Sequence, residues 1–341
     1  VSINIFVGSY AEKGTDGIYC YSLDASNHQL ELTSKTNLVE NPSYLTISSD
    51  KDTIYCVSET NEFDGQEGGA VAALNYENGQ FTLLDIAATK GLAPCHVLLD
   101  ENKKNLYVSN YFGGSIAMYR IEDNASLQMC DLVKHSGFGP NKERQESAHM
   151  HFCGFIDGKV CGTDLGLDTI KCYDVDTNSN KLIPLQDIEL YKGTGVRHFI
   201  ISNKDKDLIF AICELTSEVM VIKKNGEKFD VIQRISTLPK GFTESTCAAI
   251  KQSLNGEYIL ASNRGHDSIA VYKLIGENLS LVKIVDSHGK SPRDFLVLKD
   301  HIIVANQDSD NIVVFTFDEN TGVLYFTGQE VHCKKPVCVI H

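Results

Sequence analysis

Short apolar runs alternate with polar turns along the whole chain in one recurring unit: a first apolar strand, a turn, and a second strand ending on a polar residue. The pairs are 43–47 with 54–59, 95–99 with 106–110, 150–155 with 160–164, 197–201 with 209–214, 247–250 with 259–263, and 293–297 with 302–306. A third strand follows in each copy, such as 115–121 or 268–274, and then a fourth, such as 81–86. The polar ends Ser9, Glu59, Asn110, Asp164, Glu214, Asn263 and Asn306 recur about every 50 residues, a spacing typical of repeat architectures. A seventh copy is split, with 336–340 reading as a first strand and 3–9 as its second. No segment keeps a helical period, so helices are expected to be few. The pattern predicts an all-β fold: a seven-bladed β-propeller of four-stranded antiparallel blades, forming a single domain over 1–341. Its first blade is closed by the N- and C-terminal strands, which removes the open sheet edge.

Composition narrows the partners. The chain has 341 residues, 42% of them apolar, and only 7 prolines, which suits a buried globular protein without linkers. A net charge of −14 argues against nucleic acid and against an anionic membrane as partners. No run approaches the roughly 18 apolar residues that span a bilayer, and the strand-like start lacks the basic n-region of a signal peptide. There are 11 cysteines and no C-x-x-C pair. Cys20, Cys56, Cys153, Cys161, Cys172 and Cys213 sit inside apolar strands as small hydrophobes. Reduced thiols and a cytoplasmic location are therefore expected, with no metal and no cofactor. The ring would act alone or as a homodimer.

The repeat also predicts where chemistry gathers. In an antiparallel hairpin, the start of the first strand and the end of the second lie at one end of the sheet. In a propeller that end is one mouth of the channel. His96, His149, His151, Arg197, His198 and Arg293 occupy first-strand starts, while Asn110, Asp164, Glu214, Asn263 with Arg264, and Asn306 occupy second-strand ends. Three of the six arginines fall at this mouth in an acidic protein, and Arg144 lies shortly before His149. That concentration suits a small anionic substrate bearing carboxylate or phosphate, which the planar guanidinium fork matches. Two bland readings stand beside it. Asn and Asp at strand ends often tie turns together, and an arginine can simply pair with a neighbouring carboxylate. The pair His149 and His151, two apart on a strand, also fits metal ligation. Asp168 and Asp267 read as tight turns, and His28, His135, His288, His332 and His341 as surface residues.

At these residues the chain resembles the seven-bladed propeller lactonase family, which includes propeller-type 6-phosphogluconolactonases and carboxy-muconate lactonizing enzymes. The matching motifs are His149-x-His151, 164–168, 193–198, Glu214, 263–269, 292–295 and Asn306-Gln307. Val196 stands where the family usually has proline. The resemblance implies a substrate cleft with catalytic residues at His149, Arg197, Glu214 and Arg264. Substrate contacts are expected from His96, Asn110, His151, Asp164, His198, Asn263, Arg293 and Asn306. It implies a carboxylic ester hydrolase that opens a phosphosugar lactone, 6-phosphogluconolactone to 6-phosphogluconate, in the pentose phosphate pathway. The alternatives are a lactone-forming enzyme acting on a carboxy-muconate and a binding propeller without catalysis. The chain has no tryptophan and hence no W-D signature.

Overall fold

A computed structural model describes residues 2–341, and those residues form strands and turns without a helix. Seven antiparallel sheets account for nearly all the strands. Six have four strands, and the sheet that starts at Met150–Ile156 gains a fifth, the short Ile188–Glu189. A separate small hairpin pairs Glu62–Phe63 with Gln66–Glu67. Within each complete blade the strands pair in chain order, as the repeat predicts. The remaining blade has the order Gln29–Thr36, Ile18–Asp24, Ser2–Ser9, Pro336–Ile340, so the terminal strands share one sheet as expected.

Burial explains why the strands differ in pattern. Second strands such as Asn105–Asn110 and Leu208–Cys213 are buried at every position, because both faces are covered by neighbouring sheets. Fourth strands such as Lys228–Ser236 alternate strictly between exposed and half-buried positions. The cores form between adjacent blades. Tyr55, Val57, Val71, Val97, Val108 and Tyr119 pack blades two and three together. Ile269, Val271, Phe295, Val304 and Phe315 do the same for blades six and seven.

Cα proximity groups the chain into two compact units, and each is described by itself. The first contains Ile5–Tyr21, Leu32–Gly193 and Ile340–His341, and so holds blades two to four. The second contains the described N-terminal residues 2–4, Ser22–Glu31 and Thr194–Val339, and holds blades five to seven.

Candidate active site

A register irregularity positions the polar residues. In blades three, four, five and seven the first strand pairs its opening residue with the last residue of the second strand and then skips one residue. The skipped residues are Cys95, His151, Arg197 and Arg293. In blade six the irregularity falls on Ala248 and Ala249. A β-bulge takes a residue out of the ladder and re-aims its side chain, which is why bulges recur beside functional sites. The partner strand supplies a second special position, one residue beyond its last paired member: Tyr111, Leu165, Glu214 and Gln307 in blades three, four, five and seven, whereas in blade six Arg264 ends the second strand paired with Thr246. Blade two has Glu59 at the corresponding place, after Ser58.

In the second unit these positions converge. Arg197 and Glu214 are almost fully buried and pair through Nε and Oε2 at 3.1 Å, while Arg264 Nη2 reaches the same oxygen at 3.2 Å. Arg197 Nη1 also donates to the Ala248 carbonyl at 2.7 Å, and Arg264 Nη2 to the Cys247 carbonyl at 3.0 Å. His198 lies against Arg197, Nε2 to Nη1 at 3.5 Å. Two guanidinium groups on one carboxyl group leave the cluster cationic, although the chain as a whole is acidic. Breaking such a buried pair by removing one member typically costs about 3–5 kcal/mol, because the survivor stays desolvated. Cys247 beside the cluster is not a candidate nucleophile. Burial, reinforced by the Glu214 charge, pushes its thiol up to about 12, and the thiol donates to the Cys213 carbonyl at 2.8 Å. Local backbone holds Glu214 in place: its amide donates to Gly195 O at 2.8 Å. Gly195 has φ 64°, and a Cβ there would lie 2.5 Å from Leu215 Cγ. Blade seven repeats the arrangement with Arg293 Nη1 donating to Gln307 Oε1 at 3.3 Å. Asp294 turns to Lys251 Nζ at 3.2 Å and the Val339 amide at 2.9 Å.

The first unit holds His96, His149 and His151. His149 Nδ1 lies 3.2 Å from Tyr111 O and Nε2 lies 2.9 Å from Glu146 Oε1, with the ring stacked on Tyr111 at 4.6 Å. Burial works against ionisation of Glu146, but the hydrogen bond from His149, with smaller contributions from its own backbone and Ser147, outweighs it and keeps its pKa below the ordinary value. His151 meets the edge of Tyr111 at 5.5 Å. His151 is the bulged residue, and its ring and that of His149 meet the same Tyr111 ring. Among the described residues no group of three or more His, Cys, Asp or Glu is placed to hold a metal ion. His96 is packed between Tyr44 and Phe152, at 4.3 and 4.4 Å between centroids, and its Nδ1 accepts the Cys153 amide. A groove of about 1010 Å³ under the small hairpin is lined by Lys13, Asn37, Glu40, Thr60 and Glu62 among others, and by none of the expected site residues.

The second-strand ends turn out to be two different classes. Asn110, Asp164 and Asn306 are the last paired residues of their strands, Asn263 stands one before the last, and all four are fully buried. Asn263 Nδ2 donates to Thr237 O and Ser268 Oγ, Asn306 Nδ2 to Ser287 O, and Asn110 Nδ2 to Ser115 Oγ. Gly91 and Gly289 pass so close that a Cβ would meet the side chains of Asn110 and Asn306 at 2.4 Å. Asp164 accepts from the His149 and Leu167 amides and from His135 Nδ1 at 2.7 Å. These four side chains tie loops to sheets, the turn-forming reading of strand-end Asn and Asp, while the buried Oδ1 atoms of Asn110, Asn263 and Asn306 accept no hydrogen bond among the described residues. Glu214 belongs one position further on, where the side chain leaves the ladder. His135 is a correction: it is buried, not on the surface, because Asp164 and the Tyr173 hydroxyl take its two nitrogens at 2.7 and 2.6 Å. Sequence reasoning passed over Glu146, Tyr111 and Gln145. Gln145 is fully buried and bonds Leu165 O and Asp168 Oδ1, pinning the segment that carries Arg144 and Glu146. Asp168 and Asp267 adopt φ 56°, as tight-turn residues do.

Comparison with known proteins agrees with this architecture. The family model described as "Lactonase, 7-bladed beta-propeller" matches residues 4–341. A protein of Lactococcus lactis subsp. cremoris is 34% identical, covering 98% of both chains. A Bacillus subtilis protein named 6-phosphogluconolactonase is 31% identical over 98% of this chain and 97% of its own. A crystal structure from Bacteroides fragilis, described as a candidate 6-phosphogluconolactonase, superposes with a TM-score of 0.91 at 27% identity, covering 99% of this chain and 97% of that one. The chain belongs to the seven-bladed β-propeller lactonase family.

Proposed function

Proceeding from that membership, we propose that the protein hydrolyses a sugar lactone, 6-phosphogluconolactone before others, to the open acid in the cytoplasm. The observation that carries the reading is the buried cationic cluster of Arg197, Glu214 and Arg264. Lactone opening adds water to the ester carbonyl, builds negative charge on the carbonyl oxygen, and then breaks the ring C–O bond with a proton delivered to the leaving oxygen. Donors fixed in advance around the developing oxyanion lower that barrier, and a carboxylate that orients water and accepts its proton lowers it further. The guanidinium groups of Arg197 and Arg264 fill the first role in this scheme. Glu214, held between them, fills the second. The B. subtilis relative's name supports the phosphorylated substrate, and eleven cysteines without a disulfide support a reducing compartment.

The test is hydrolysis of freshly generated 6-phosphogluconolactone, corrected for spontaneous opening, by wild type and Glu214→Gln. Loss of roughly 100-fold or more in kcat is expected, the scale of one general base. No wild-type rate above background would overturn the reading and direct attention to lactone formation from a carboxylated diene.

A further inference from the structure

Blades five, six and seven all belong to the second unit, and their first strands pack side by side. The same two register positions carry Arg197 with Glu214 in blade five and Arg293 with Gln307 in blade seven. The backbone repeats as well: Glu214 N donates to Gly195 O at 2.8 Å, and Gln307 N to Ser291 O at 2.9 Å. Blade six, between them, has alanine at the bulge, so at that register it presents only a methyl group.

The two pairs differ in charge and access. Arg197 has a carboxylate partner and is 3% exposed, whereas Arg293 has the neutral Gln307 at its matching position and is half-buried. A guanidinium has no acceptor, so Gln307 must turn its oxygen to Arg293, which directs its NH2 donors elsewhere. Guanidinium and amide donors side by side, with access to solvent, match a group that offers only acceptors. A phosphate monoester is such a group, and its oxygens accept the planar fork.

We infer that Arg293 and Gln307 form the subsite that recognises the anionic substituent of the substrate, a phosphate monoester remote from the ester bond. On this assignment blade five acts on the lactone and blade seven sets the preference for phosphorylated over unphosphorylated lactones. The inference rests on the lactonase reading, whose site it divides into a reacting part and a recognition part.

The experiment measures kcat/KM for 6-phosphogluconolactone and for unphosphorylated gluconolactone with wild type, Arg293→Met and Gln307→Glu. Losing one charge-assisted contact predicts that the ratio of the two values falls roughly 10- to 100-fold in Arg293→Met, mainly through KM. Gln307→Glu should shift the ratio in the same direction, because the new carboxylate takes up guanidinium donors and repels a phosphate while leaving Arg293 in place. An unchanged ratio in both variants overturns the assignment. If wild type hydrolyses neither lactone, the proposed reaction fails, and the subsite is judged separately by titrating 6-phosphogluconate and inorganic phosphate. Binding to wild type that is lost in Arg293→Met supports it, and equal binding, or none to wild type, overturns it.

Discussion

Blades four and five share one scaffold, yet they put opposite kinds of residue into the same three positions. Blade five has Cys213 at the strand end, Arg197 in the bulge and Glu214 one residue beyond the strand. Blade four has Asp164, His151 and Leu165 at those places. In blade five the ionisable groups occupy the two positions that leave the ladder, where they meet each other and Arg264. In blade four the carboxylate sits inside the ladder and is consumed by His135, by two backbone amides and, through His135, by Tyr173. A carboxylate one residue earlier in register thus becomes a fastener, and one residue later becomes a candidate for chemistry. Pairing alternates side-chain direction at every residue, so a single step changes what a side chain faces.

That contrast can be tested at its extremes. The largest effect is expected for Arg197→Met, which leaves Glu214 buried with one guanidinium fewer. Lactonase kcat/KM should fall roughly 100- to 1,000-fold, the scale of losing one oxyanion donor, and an activity near wild type would remove blade five from the reaction. Next is Asp164→Ala, which orphans His135 and the His149 and Leu167 amides. Unfolding free energy should drop by about 3 kcal/mol in denaturant titration. A variant of unchanged stability would show that Asp164 is not the fastener of blade four.

Asn263→Ala takes the fastening argument into the second unit. Losing the bonds to Thr237 O and Ser268 Oγ should cost about 1–2 kcal/mol, with KM for the lactone close to wild type. A rise in KM without loss of stability would return Asn263 to the substrate. The smallest effect concerns pH. Burial raises the thiols of Cys153 in blade four and Cys247 beside the blade five cluster to about 12. The folded chain keeps these protons while the unfolded chain loses them above pH 9, so unfolded molecules bind fewer protons and stability declines from about pH 9 toward 12. Denaturation midpoints at pH 7.5 and 10 check the sign. Glu214→Gln should lessen the decline slightly, since the Glu214 charge is the second cause of the Cys247 shift.

Much of the fold was legible because repetition imposes it. Second strands buried on both faces read as continuous apolar runs, fourth strands read as alternation, and two incomplete half-units at the termini could only complement each other. The clustering of Arg197, Glu214 and Arg264 was legible for the same reason, since the hairpin rule brings first-strand starts to second-strand ends. The bulge was not legible. Nothing in the composition of 196–198 or 292–294 shows that one residue will be skipped, because the skip is a property of the pairing partner. Grouping Glu214 with Asn110, Asp164, Asn263 and Asn306 followed from that gap. His135, Glu146 and Gln145 were misread or missed because their partners lie 3 to 38 residues away along the chain and meet them only after folding.

Sequence alone therefore determined the blade count, the strand order and the residue types available at each sheet end, since these follow from periodicity, chain order and burial of apolar runs. Only the tertiary structure decided which polar side chains leave the ladder and which are tied into it. That choice depends on a one-residue register shift and on which neighbouring loop approaches each strand end, and both are set by packing between segments distant in the chain.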